Sequence, residues 1–274
     1  MVDVELMERF VSAGCDPCKH NGFARALDET KARPLLRFFR SHSQDYPKLV
    51  EQASLALASV VEEQKTRWAA MLVWAGADPL MRVPDSLCGD WDLSEDDGRL
   101  PVEVACSTGN VELFKVLRIQ PTAALMQELL SVAVLYCHPE MIEMLLKLAP
   151  DLVNHGVPPK CDAIEHFIGD CLCGWGSVNA QDQDDQSAKC LELLLEAGAR
   201  WVPDPDHLSY ERRRFTRSDP RDAVRILRLL LYVPNAVSRK VILDFCDTPG
   251  IRRMIYRGDQ KLSNEMKVMW QEID

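Results

Sequence analysis

Apolar residues recur three and four positions apart in short stretches along most of this chain, and the stretches come in pairs. That is the period of one buried helical face, so each stretch predicts a short helix and each pair a helical hairpin. The clearest example runs from Asp97 to Leu117, which reads as a turn, a short helix through Ala105, a tight turn at Gly109 and a second helix. The pattern returns between Leu130 and Asp151, with Ala133 in the place of Ala105 and His138 in the place of Asn110 at the same separation. Recurrence of one supersecondary unit predicts an array of stacked units in preference to a single layered core.

The same reading extends in both directions. Val4 to Phe10 looks like the second helix of a unit, with Gly14 as its C-terminal cap and Pro17 preventing continuation. Phe23 and Leu27, then Leu35, Leu36, Phe38 and Phe39, give two helical patches. Leu49 to Val61 and Trp68 to Trp74 give the next pair, closed by Ala75, Gly76, Ala77 and Asp78. Further pairs are Cys161 to Ile168 with Lys189 to Glu196, then Tyr210 to Phe215 with Ala223 to Leu231. Val241, Ile242, Phe245, Ile251, Met254 and Ile255 form a shorter closing segment over 237–274. Two stretches break the rhythm, 80–99 and about 170–187, both rich in polar residues and predicted as loop insertions.

Pro101, Ala105, Gly109, Glu112, Lys115 and Leu117 stand where ankyrin repeats carry the same residues, and the Ala-Gly-Ala-Asp closure at 75–78 is the family's own. The chain therefore resembles a divergent ankyrin-repeat protein. The resemblance is strong at 66–80, 97–154 and 188–202 and weaker elsewhere. It departs from the family where Leu100 replaces the usual Thr and Glu103 the usual His. It implies an all-α solenoid of about seven full or partial units forming one domain over 1–274, with a capping half-unit at 1–20.

Composition narrows this further. Hydrophobic residues at 47% and charged residues at 27% belong to an ordered chain, with no apolar run long enough to span a bilayer and no signal-peptide start. The expected setting is cytoplasmic. Ten cysteines scattered without a framework are expected as reduced thiols, with Cys106, Cys137 and Cys190 at packed helix positions. The net charge of −10 is unevenly placed, −15 over 1–206 and +5 over 207–274. The net charge argues against general nucleic-acid binding, while its uneven placement makes a basic end on an acidic body.

Candidate chemistry is confined to surfaces. Trp91 lies among carboxylates in the first insertion and Trp175 between two glycines in the second; with Trp201 they are the expected apolar anchors for a partner. Arg212, Arg213, Arg214, Arg217, Arg221, Arg225 and Arg228 form the strongest charge feature, and Arg221, Arg225 and Arg228 are spaced to share one helix face. Arg213, Arg214, Arg221 and Arg225 are the expected electrostatic contacts, suited to carboxylates or phosphates or, equally, to a solvated surface.

A calcium loop starting at Asp90 is rejected, because Glu95 and Pro101 occupy the positions that need Gly and Glu. Cys15, Cys18 and His20, and Cys161, His166, Cys171 and Cys173, lack zinc-site spacing, so no metal and no cofactor is expected. No nucleophile elbow, phosphate loop or dinucleotide fingerprint is present. The expected function is a non-catalytic protein-protein interaction module, gripping a partner protein through its concave helix face and loop tips. Alternatives are a metal-dependent regulator or enzyme on the same scaffold, nucleic-acid binding by the basic end, and self-association of the acidic body with that end.

Overall fold

Every predicted helix that falls within the described residues forms, and fourteen α-helices are present among them. The computed structural model describes residues 4–16, 18–30, 33–83, 98–120, 122–150, 153, 180–201, 212, 215–216, 220–233 and 237–271. The predicted first helix at 161–168 and most of 210–215 lie outside them. The helices are α1 (Val4–Ser12), α2 (Gly22–Thr30), α3 (Arg33–His42), α4 (Lys48–Glu62), α5 (Thr66–Ala75), α6 (Pro101–Ser107), α7 (Val111–Val116), α8 (Ala123–Leu135), α9 (Pro139–Leu148), α10 (Ala180–Glu196), α11 (Pro220–Tyr232), α12 (Arg239–Cys246), α13 (Pro249–Gly258) and α14 (Gln260–Gln271). No described helix is long and apolar enough to cross a membrane.

The helices fall into two compact units, Met1–Gln120 and Pro121–Asp274. In the first, α4 packs on α2, α5 and α6, while α5 packs on α3 and α7, and α1 on α3. Helices thus meet the next in the chain and the one after it. The α4 sequence explains its central place: ten of its residues, from Leu49 to Val61, are buried, so it presents apolar surface on more than one side. Phe23, Phe38 and Phe39 meet at ring separations of 5.8 and 6.2 Å in the core beside it. Gln52 and Ser54 are the buried polar residues of α4, and Gln52 ties two helices together. Its side chain donates to Asn21 Oδ1 at 2.8 Å and accepts from the Ala24 N–H at 3.3 Å, which fixes the start of α2 on α4.

The turns follow their residues. Gly76 ends α5 with φ +116°, and its N–H and that of Ala77 return to the carbonyls of the last turn, a left-handed closure that a Cβ would strain. Asn110 caps α7 by accepting from the Leu113 N–H at 2.9 Å. Glu103, which stands where the resemblance expects His, accepts the Leu100 N–H at 2.9 Å, so it holds the start of α6 by a different hydrogen bond. The first insertion leaves and returns through an antiparallel pair, Val83 and Arg99, joined by hydrogen bonds of 3.0 and 2.9 Å.

In the second unit α8 packs on α9, α9 on α10, and α10 on α11, after which α11 meets α12 and α13, and α14 covers α12 and α13. Cys137 and Cys190 are buried here, as Cys106 is in the first unit. Two boundaries differ from expectation. Residues 180–186 belong to α10 rather than to a loop, because this Ala-, Gln- and Asp-containing run has neither Gly nor Pro to interrupt a helix. The last described helix is α14, whose apolar side rests on little more than Leu262 and Met266, too sparse a stripe to announce a helix.

Gly258 lets α13 approach α11 closely. A Cβ there would stand 2.4 Å from the Pro220 carbonyl oxygen and 2.8 Å from Val224 Cγ2. Gly258→Ala should therefore lower stability by about 1–3 kcal/mol through overpacking, read as an earlier urea midpoint. Gly250→Ala, whose Cβ would meet only the Thr216 side chain at 3.1 Å, should cost less. Equal midpoints for the Gly258 variant and the parent would contradict the close approach.

Candidate interaction surface

The basic end resolves into residues that build the fold and residues that face outward. α11 buries Ala223, Val224, Ile226, Leu227 and Leu230. Its opposite side carries Arg221, Arg225, Arg228 and Tyr232 at one helical spacing, so the stripe predicted from the sequence is a real face. The second half of that stripe is tied down. Arg228 pairs with Asp259, and the Tyr232 hydroxyl donates to Glu265 Oε2 at 2.5 Å. Both contacts join α11 to the start and middle of α14.

Asp259 is the joint of this arrangement. One of its oxygens accepts the N–H groups of Lys261 at 2.8 Å and Leu262 at 3.1 Å, capping α14, while the other takes Arg228. The Leu262 N–H, and after it the Arg228 guanidinium, hold the Asp259 carboxyl below the usual carboxylate range. The same bond raises Arg228, and hydrogen bonding to Glu265 raises the Tyr232 hydroxyl.

Arg212 is also structural. Its Nε donates to the Phe245 carbonyl at 3.0 Å and its Nη2 to that of Asp244, so a cation closes the C-terminal end of α12. Arg252 pairs with Asp247 and lies 4.3 Å over the Trp270 ring. Arg221 and Arg225 are exposed at the start of α11.

The expected anchors fare differently. Trp201 is a core residue and not a surface anchor: it is 2% exposed and meets the Phe245 ring edge-on at 5.0 Å, and Phe215 meets the same ring edge-on at 5.4 Å. Trp91, Trp175, Arg213, Arg214 and Arg217 lie outside the described residues. Trp74, which sequence reasoning did not single out, is 57% exposed with the Arg40 guanidinium 4.3 Å over its ring. Nothing in the sequence pairs Arg40 with Trp74, because the two belong to helices that meet only on folding.

The cysteines form no comparable site among the described residues. Among the described residues no three His, Cys, Asp or Glu side chains come together as a metal site would require; Cys161, His166, Cys171 and Cys173 lie outside them. Burial, with Asp16 nearby, pushes the Cys18 thiol up to about 11, and burial raises Cys246 too, so both are held as thiols. No family model matches the chain, and no curated protein and no solved structure matches it either.

Asp259 makes the joint testable. Its lowered carboxyl contributes stability that is complete above the ordinary carboxylate range and is lost as pH falls through the lowered value. Asp259→Asn should flatten the loss of stability below about pH 4, and Asp259→Ala should cost about 0.5–2 kcal/mol at neutral pH through the lost cap. Denaturant titrations across the acid range check both; an acid limb identical to the parent's would remove Asp259 from this role.

Proposed function

We propose that the chain is a non-catalytic interaction module, a stack of helical pairs resembling a divergent ankyrin array that holds an acidic segment of a partner protein. Two rows of packing in the first unit support the scaffold half of this reading: α2, α4 and α6 follow one another, and α1, α3, α5 and α7 do the same. Helices that meet their sequence neighbours leave outer faces free for recognition, the physical basis of binding by repeat proteins. Turns closed at Gly76 and Asn110 fit the same pattern.

The observation that carries the functional half is the exposed basic face of α11. Arg221 and Arg225 are exposed one turn apart on a helix buried along its other side. Two guanidinium groups at that spacing suit a pair of carboxylates, each able to accept a forked hydrogen bond. The partner's contact segment is accordingly acidic, and the interaction weakens with salt.

Affinity capture from the native source at low and high ionic strength tests this. The doubly substituted chain, Arg221→Glu with Arg225→Glu, should melt like the parent and recover several-fold less of the salt-sensitive partner at low salt. Undiminished recovery would take this face out of the interaction.

A further inference from the structure

The first unit contains a cleft that the interaction reading does not use. It lies where α3 and α5 begin, has a volume of about 450 Å3, and is lined by Arg33, Lys65, Thr66, Arg67, Trp68 and Met71. That volume is within the range of about 300–1,000 Å3 in which small-molecule sites fall. Its charge is one-sided, because three of the six lining side chains are cations and none is an anion. Lys65 pairs with Glu63, which is not part of the lining. Arg33 and Arg67 are exposed and make no ion pair among the described residues.

The rest of the lining is of the opposite kind. Trp68 is 7% exposed and Met71 half-buried, so a flat aromatic and a thioether chain form the apolar part. One donor nearby lacks an acceptor of the protein's own: the indole N–H of Trp68 is buried without a hydrogen-bond partner among the described residues. A buried donor of this sort carries a desolvation cost.

We propose that this cleft binds a small organic carboxylate with an apolar body, its anion held by Arg33 and Arg67 at the start of α5 and its apolar part against Trp68 and Met71. Each half of the lining excludes a simpler ligand. Inorganic phosphate would satisfy the arginines and leave the apolar part wet, and a neutral hydrocarbon would cover Trp68 and Met71 while desolvating two guanidinium groups. Only a molecule carrying both features uses the whole site. The site draws on no residue of α11, so its failure and that of the partner reading are separable.

The experiment uses the full chain labelled with 15N at its tryptophan indoles, titrated with 3-phenylpropanoate, with 3-phenylpropanamide and inorganic phosphate in parallel. The Trp68 resonance is identified by its loss in Trp68→Phe; calorimetric titrations of the parent read the affinities without that variant. The carboxylate should shift the Trp68 indole signal saturably, with the amide and phosphate each at least about tenfold weaker. The double substitution Arg33→Gln with Arg67→Gln should weaken the carboxylate by about tenfold or more and leave the other indole signals in place, as loss of charge-assisted hydrogen bonds requires. Equal binding of the amide, equal binding of phosphate, survival of affinity in the double variant, or no saturable response would each overturn the proposal.

Discussion

Few of the described helices are long enough to hold their shape alone, and that single constraint orders the rest. The described helices run from 6 residues in α7 to 17 in α10, and helices shorter than about 12–15 residues are marginal in water. Each must therefore gain its stability from an apolar face covered by another helix. The cheapest partner in chain entropy is the neighbour, since a short connection is already nearly closed. The packing follows: contacts run between successive helices and the next but one, and the few buried polar groups, such as Gln52, tie one neighbour to another rather than reaching across the unit.

A fold held by neighbour contacts still spends charge where helices end. The basic C-terminal quarter might be taken whole as a binding surface on its net charge alone, yet Arg212 closes α12, Arg228 joins α11 to Asp259, and Arg252 reaches Asp247 and Trp270. These cations are consumed by the junctions between short helices, where unpaired carbonyls and capping carboxylates collect.

The helices were legible because the apolar period survives in each of them, and the closures at Gly76 and Asn110 were legible because those residue types satisfy local backbone geometry. The face of α11 was legible for the same reason, as Arg221, Arg225 and Arg228 are near in sequence. Where a side chain's environment depends on helices distant in the chain, the sequence was silent. Trp201 has the composition of an anchor and the surroundings of a core residue, because Phe245 and Phe215 come to it only through folding. The cleft at Trp68 needed Arg33 from another helix, and Trp74 needed Arg40. Sparse stripes failed in a third way: Leu262 and Met266 alone do not distinguish α14 from a loop, and Asp259, which caps it, looks like any turn residue until Arg228 is beside it.

The same locality explains how the chain accommodates a long insertion between α5 and α6. Val83 and Arg99 exchange two backbone hydrogen bonds, and Arg82 donates to the Gly98 carbonyl at 2.8 Å, so both ends of the insertion are fastened together at its base. Val83 itself is buried with Ala24, Leu55 and Ala58, which anchors that base in the core between α2 and α4. Gly98 permits the approach, since a Cβ there would stand 2.9 Å from the Val83 carbonyl oxygen. With the ends held, lengthening the segment between them costs only the slow logarithmic growth of loop entropy.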